Sequence, residues 1–175
     1  MRLGRIITLS VAALMAAPVL IGATDNSSHP FTITINAHQE NVRPGEEIRV
    51  HIVLTNVSDQ PLVVLMSPNP AEAELHYTVF VHDQSGKNAS ETDYGRRIRL
   101  RQLIGSDAAT VLKPGEKLEE LTVLTKVFDL SAPGEYEVQL SRPVSEDSKD
   151  GIVKSNKITV AVRAERPERE ADRPK

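Results

Sequence analysis

The chain has 175 residues, a formal net charge of −3, no cysteine, no tryptophan, and only three tyrosines and three phenylalanines. So mild a charge gives no reason to expect nucleic-acid binding, and the lack of cysteine excludes a disulfide framework, a thiol nucleophile and a lipid-modified cysteine. A core must therefore be aliphatic, and the roughly 150 residues beyond any leader suffice for one domain to build it.

Residues 1–23 read as a secretory signal peptide: basic Arg2 and Arg5, an apolar run from Ile6 to Ile21, then small Gly22 and Ala23 before polar Thr24 and Asp25. Pro18 and the small residues after it favour cleavage near Ala23 over a permanent anchor, so the expected location is secreted or periplasmic, with membrane contact only if the segment is uncleaved. Residues 24–30 read as a linker.

From Phe31 the pattern has period two: Phe31, Ile33, Ile35 and Ala37 on one face, Thr32, Thr34 and Asn36 on the other. Further strands are expected around Ile48 to Leu54, Leu62 to Met66, Leu75 to Val81, Ile98 to Leu100, Leu121 to Val123, Tyr136 to Leu140 and Ile158 to Val162. No stretch has a sustained helical period. Residues 31–163 thus read as an all-β domain, a sandwich of about seven to eight antiparallel strands.

Pro-Gly-Glu occurs at Pro44, Pro114 and Pro133, each time just before an expected strand. Proline presets φ at the second position of a tight turn and glycine takes the positive φ of the third, so each copy reads as a type II turn rather than a binding repeat. Asp83 to Arg97 and Ser145 to Ile152 read as irregular loops. Residues 164–175 balance acids against bases around two prolines, with nothing to bury, and read as a disordered charged tail.

In FDLSAPGEYEVQL, Tyr136 faces the core above Val138, with the carbonyls of the preceding turn in reach of its hydroxyl. This resembles the tyrosine corner of immunoglobulin-like domains, with Val138 at the usual cysteine position. The longer stretch from Val111 to Arg142 resembles secreted bacterial immunoglobulin-like domains. It is similar to the non-catalytic β-domain of deuterolysin-like and peptidyl-lysine metalloendopeptidases, and more loosely to the Bacillus intracellular proteinase inhibitor family. The resemblance implies an immunoglobulin-like β-sandwich and a bacterial source.

No chemistry is spelled out by spacing. None of the five histidines begins a His-Glu-x-x-His motif, and His76 and His82, if on one strand, would stand ~20 Å apart. No metal site or cofactor is expected. EDSKDG, from Glu146, opens like a calcium loop but has Lys157 where an EF-hand needs glutamate. There is no Gly-x-Ser-x-Gly elbow or phosphate loop. The sequons at Asn26, Asn56 and Asn88 read as chance in a bacterial chain.

RRIRLRQLI, from Arg96, is the most distinctive charge feature. As a strand it would project Arg97, Arg99 and Arg101 from one face at ~6.6 Å intervals, either as an anion-binding row or as a solvated face neutralised by acids such as Glu119 or Glu137. The function expected is that of a non-enzymatic exported interaction domain whose partner is another exported or cell-surface protein. The alternative is a protease-related module, an inhibitor or a detached accessory domain, with Asp83 to Arg97 as its recognition loop. Neither nucleic acid nor a small-molecule substrate is expected.

Overall fold

Phe31, Ile33 and Ile35 are buried while Thr32, Thr34 and Asn36 are exposed, so the first strand follows its alternation residue by residue. The computed structural model describes residues 29–39, 41–102, 107–145 and 151–164. The leader, all but the end of the linker, the acidic part of EDSKDG and the tail after Ala164 lie outside them. The elements in chain order are β1 (Phe31–Ala37), β2 (Asn41–Val42), β3 (Arg49–Asn56), β4 (Leu62–Met66), a 3-10 helix (Pro70–Leu75), β5 (Thr78–Asp83), β6 (Ser90–Glu91) and α1 (Asp93–Arg99). They continue with β7 (Ala108–Leu112), β8 (Lys117–Val123), α2 (Leu124–Val127), β9 (Phe128–Asp129), β10 (Gly134–Pro143), β11 (Ile152–Lys154) and β12 (Ile158–Val162).

The domain is mostly β. Strands β1, β3 and β8 form an antiparallel sheet. In the second sheet β10 is central, pairing with β5 along one edge and with β12 and then β11 along the other. Strand β2 joins β12 in parallel, which departs from the all-antiparallel expectation. Twelve strands stand among the described residues, more than expected, because several are only two or three residues long. The inward faces of both sheets supply one aliphatic core, in which Ile52, Leu54, Val138 and Leu140 are completely buried, each contributing roughly 1.5–3 kcal/mol.

Two of the three Pro-Gly-Glu copies are the expected turns. Gly45 and Gly115 have φ of 85° and 80°. In both turns the glutamate also folds back: Arg43 N–H donates to Glu46 Oε2 at 2.9 Å, and Lys113 N–H to Glu116 Oε2 at 2.8 Å. The third copy differs, because Gly134 already belongs to β10, paired with Val162. There Tyr136 takes over, its hydroxyl donating to the Ala132 carbonyl at 2.8 Å. Tyr136→Phe is expected to cost about 1 kcal/mol, the usual loss for one such bond. An unchanged urea midpoint would mean that the corner contributes nothing.

Asn56, one of the sequons, is completely buried. Its amide donates to the carbonyls of Gln60 and Leu112 at 2.8 and 2.9 Å, and its oxygen accepts from Ser58, which ties β3 to β7. Strands β4 and β7 form a separate ribbon. Val64 and Leu112 point inward from it, while the cross-strand partners Val63 and Val111 stay 66% and 58% exposed.

The stretch from Arg96 is not a strand. Thr92 caps α1, accepting from Gly95 N–H at 3.1 Å, and Tyr94 and Ile98, four residues apart, turn toward the core as one helical face. Leu75 likewise ends the 3-10 helix instead of starting β5; Pro70 opens that helix and Asn69 caps it. The Asp83 to Arg97 segment is not an open loop. It holds a tight turn, in which Asp83 accepts from Ser85 and Lys87 N–H, followed by β6 and most of α1.

Candidate functional site

Strand β8 places polar groups where the core should be apolar. Its register against β3 sets Leu118 opposite Leu54, Glu120 opposite Ile52 and Thr122 opposite Val50, so Glu120 and Thr122 share the inward face. Leu121, expected to be inward, is only half-buried on the other face. Glu120 is 2% exposed and Thr122 completely buried. Carboxyls are tolerated at such depth only when hydrogen-bonded, and the 3-10 helix and α1 bring the partners.

Tyr77 donates to Glu120 Oε2 at 2.8 Å. Glu74, also buried, accepts from Tyr94 at Oε1 and from Thr122 at Oε2, both at 3.0 Å. Arg142 of β10 lies over the Tyr77 ring, 5.1 Å from its centroid, and its Nη2 donates to the Leu65 carbonyl of the ribbon. Arg142 Nη1, Glu120 Oε1 and His76 Nε2 are buried without a hydrogen-bond partner among the described residues, although His76 Nε2 lies 3.6 Å from Asp107 Oδ1.

Burial pushes the Glu120 carboxyl above its ordinary value, outweighing the Tyr77 bond and the Arg142 charge. Burial and the Glu120 charge raise the Tyr77 phenol, and burial with Glu74 pushes Tyr94 up to about 12. Burial, then Arg142, lowers His76 against the pull of Asp107. The site therefore holds protons on its phenols and shifts Glu120 toward its protonated form.

A carboxyl whose folded pKa is raised stabilises the fold fully below its unfolded value, here about 4.5, and that contribution is lost as pH rises through the folded value. Glu120→Gln keeps an acceptor for Tyr77 and removes the titration. The variant is expected to gain on the parent progressively above about pH 4.5 in urea melts run from about pH 4 to about pH 8. A difference independent of pH would mean that Glu120 does not titrate differently on folding.

Glu74, His76, Tyr77 and Arg142 border a cleft of about 1130 Å³ between the ribbon, the 3-10 helix, α1 and the end of β10, which Glu120 does not line. Of the arginines singled out in the sequence, Arg99 and Arg101 line it and Arg97 does not. On a helix, residues two apart diverge by about 200°, so Arg97 and Arg99 cannot form a row. Arg99 is held by Glu91, its Nε donating to both oxygens at 2.8 and 2.9 Å, and Arg96 pairs with Asp93. Of the acids expected as neutralisers, Glu137 pairs with Lys157, and neither it nor Glu119 forms an ion pair with these arginines among the described residues. His76 ends the 3-10 helix and His82 lies on β5, so they do not share a strand. No group of metal-ligating side chains occurs among the described residues.

Glu74, Tyr77, Glu120 and Arg142 were not anticipated as a site. The available signal was Glu120 and Thr122 alternating with Leu121 and Val123 in a strand, which leaves the inward phase open.

No family model matches the chain, and no curated protein does. Solved structures similar to it include a β-glucosidase from Listeria innocua in complex with isofagomine (15% identity, TM-score 0.43, 80% of this chain and 17% of that one). The same enzyme in complex with glucose gives 15% identity and a TM-score of 0.40, over 77% of this chain and 16% of that one. The sporulation control protein Spo0M from Bacillus subtilis gives 12% identity and a TM-score of 0.40, over 78% of this chain and 50% of that one. The chain thus spans less than a fifth of the β-glucosidase and half of Spo0M.

Proposed function

We propose that this chain is an exported, immunoglobulin-like interaction domain without catalytic activity, which binds another exported or cell-surface protein through the outer face of the β4–β7 ribbon. The observation that carries the reading is the pair Val63 and Val111. They are directly opposed across the ribbon and exposed, although the core below is fully supplied by other residues. Adjacent exposed apolar side chains on a two-stranded ribbon are a surface that gains by being covered. The tyrosine corner supports the immunoglobulin-like assignment.

The test is capture of partners from secreted and periplasmic extracts on the chain from residue 24 onward, beside a variant carrying Val63→Asp and Val111→Lys. A stoichiometric partner retained by the parent and lost by the variant is expected. Equal capture by both, or capture by neither, would refute the reading. Titration against serine and metallo-endopeptidases tests the protease-related alternative, and inhibition at micromolar protein would replace the proposal.

A further inference from the structure

We infer that the cleft beneath the ribbon is a binding site for a small aliphatic carboxylic acid, whose head group is held by Arg142 and Arg101 and whose chain lies along the apolar wall. Val63 of the ribbon's exposed pair also lines this cleft, and Val111 does not. The volume, about 1130 Å³, is ample for small molecules, whose pockets usually span about 300–1,000 Å³. The apolar lining that is not fully buried includes Leu62, Leu65, Ile98 and Val144, and the charged lining mixes Arg99, Arg101 and Arg142 with Glu74, Glu91 and Asp107.

Arg142 is the anchor within this charged lining. It is only 8% exposed, so its guanidinium is taken out of water, yet Nη1 has no acceptor among the described residues. A buried cationic donor without an acceptor is costly, and a carboxylate meets the need with a charge-assisted bond. The protein's own acids do not meet it. Glu74 has both oxygens engaged by Tyr94 and Thr122, Glu91 is engaged by Arg99, and Asp107 faces His76. Glu120 is turned to Tyr77 and forms no ion pair with Arg142 among the described residues.

Arg101 gives a second, separate indication. It follows the last turn of α1 with φ of 52°, the one non-glycine residue at positive φ among those described. Gln102 N–H donates to the Arg97 carbonyl at 2.9 Å and Arg101 N–H to the Ile98 carbonyl at 2.8 Å, a helix ending at which glycine is the cheaper residue. An arginine stands there nonetheless. Its side chain lines the cleft and makes no ion pair or hydrogen bond among the described residues.

The test is calorimetric titration of the chain from residue 24 onward with octanoate, octanol and acetate. Octanoate should bind saturably, with octanol lacking the charge and acetate lacking the chain each at least about tenfold weaker. Arg142→Gln should weaken octanoate binding by about tenfold or more. That change also removes a structural contact, so the deciding variant is Arg101→Gly. It should melt no lower than the parent and yet bind octanoate about tenfold more weakly. Three results would overturn the inference: no saturation by millimolar octanoate, octanol binding as tightly as octanoate, or Arg101→Gly binding octanoate like the parent.

Discussion

Gly95→Ala is expected to destabilise the domain by about 3 kcal/mol or more, reversing the usual gain of about 1 kcal/mol for that change within a helix. Gly95 lies in the first turn of α1, where that helix is pressed against the end of α2. A β-carbon there would sit 2.1 Å from the Val127 carbonyl oxygen and 2.9 Å from its carbon. Those are backbone atoms, which cannot rotate aside as a side chain would. The helix would have to lift, and two bonds would go with it: Thr92 N–H to the Val127 carbonyl at 3.0 Å, and the Thr92 hydroxyl to the Lys126 carbonyl. Tyr94 would be drawn from Glu74 as well. Equilibrium urea unfolding measures the loss, and a variant as stable as the parent would show that α1 is not seated as described.

Arg142→Met should have an effect of similar size, about 3 kcal/mol, because it removes a charge-assisted hydrogen bond and a desolvated cation–π contact together. The change removes the cation over Tyr77 and the bond that holds the ribbon at the Leu65 carbonyl. It also leaves Glu120 buried without the positive charge that partly offsets its desolvation. Adding Glu120→Leu to Arg142→Met should then recover part of the loss, since replacing both buried polar members by apolar groups is far less costly than removing one. A double-mutant cycle with a coupling above about 1 kcal/mol is the expected result. Strict additivity would mean that the two side chains do not sense each other.

Much of the β architecture was legible in the residues. Strands β1, β3, β4, β10 and β12 stand where alternation or apolar runs put them, and Tyr136 has the turn carbonyl its position implied. Two Pro-Gly pairs have the glycine at positive φ, and the third departs because Gly134 is drawn into β10 by pairing with Val162. The arginine stretch misled because Arg97-Ile98-Arg99-Leu100 alternates as a strand would. The competing signals were Thr92 as a cap and Tyr94 and Ile98 four apart, and they decided the outcome once α1 could pack on α2.

The candidate site was almost wholly illegible. Glu74, Tyr77, Glu120 and Arg142 come from the 3-10 helix and its exit, β8 and β10, and no local pattern links them. In β8, counting apolar residues favours Leu121 and Val123 as the inward pair. Pairing with β3 instead puts Glu120 in the row of Ile35 and Ile52, and Thr122 in the row of Ala37 and Val50. A one-residue change of phase exchanges the two faces of a strand, and register depends on partners far away in the chain.

The sequence by itself determined that this is a cysteine-free, aliphatic, mostly β domain, and where most of its longer strands and two of its turns fall. Those properties rest on composition, on alternation at period two and on the conformational limits of proline and glycine, all of which act within a few residues. Only the tertiary structure decided which face of β8 looks inward, that Arg99 and Arg101 border a cleft while Arg97 leaves it, and that Arg142 is buried over Tyr77. Those follow from register, helix seating and the meeting of remote segments, and their energies exist only once the chain has closed on itself.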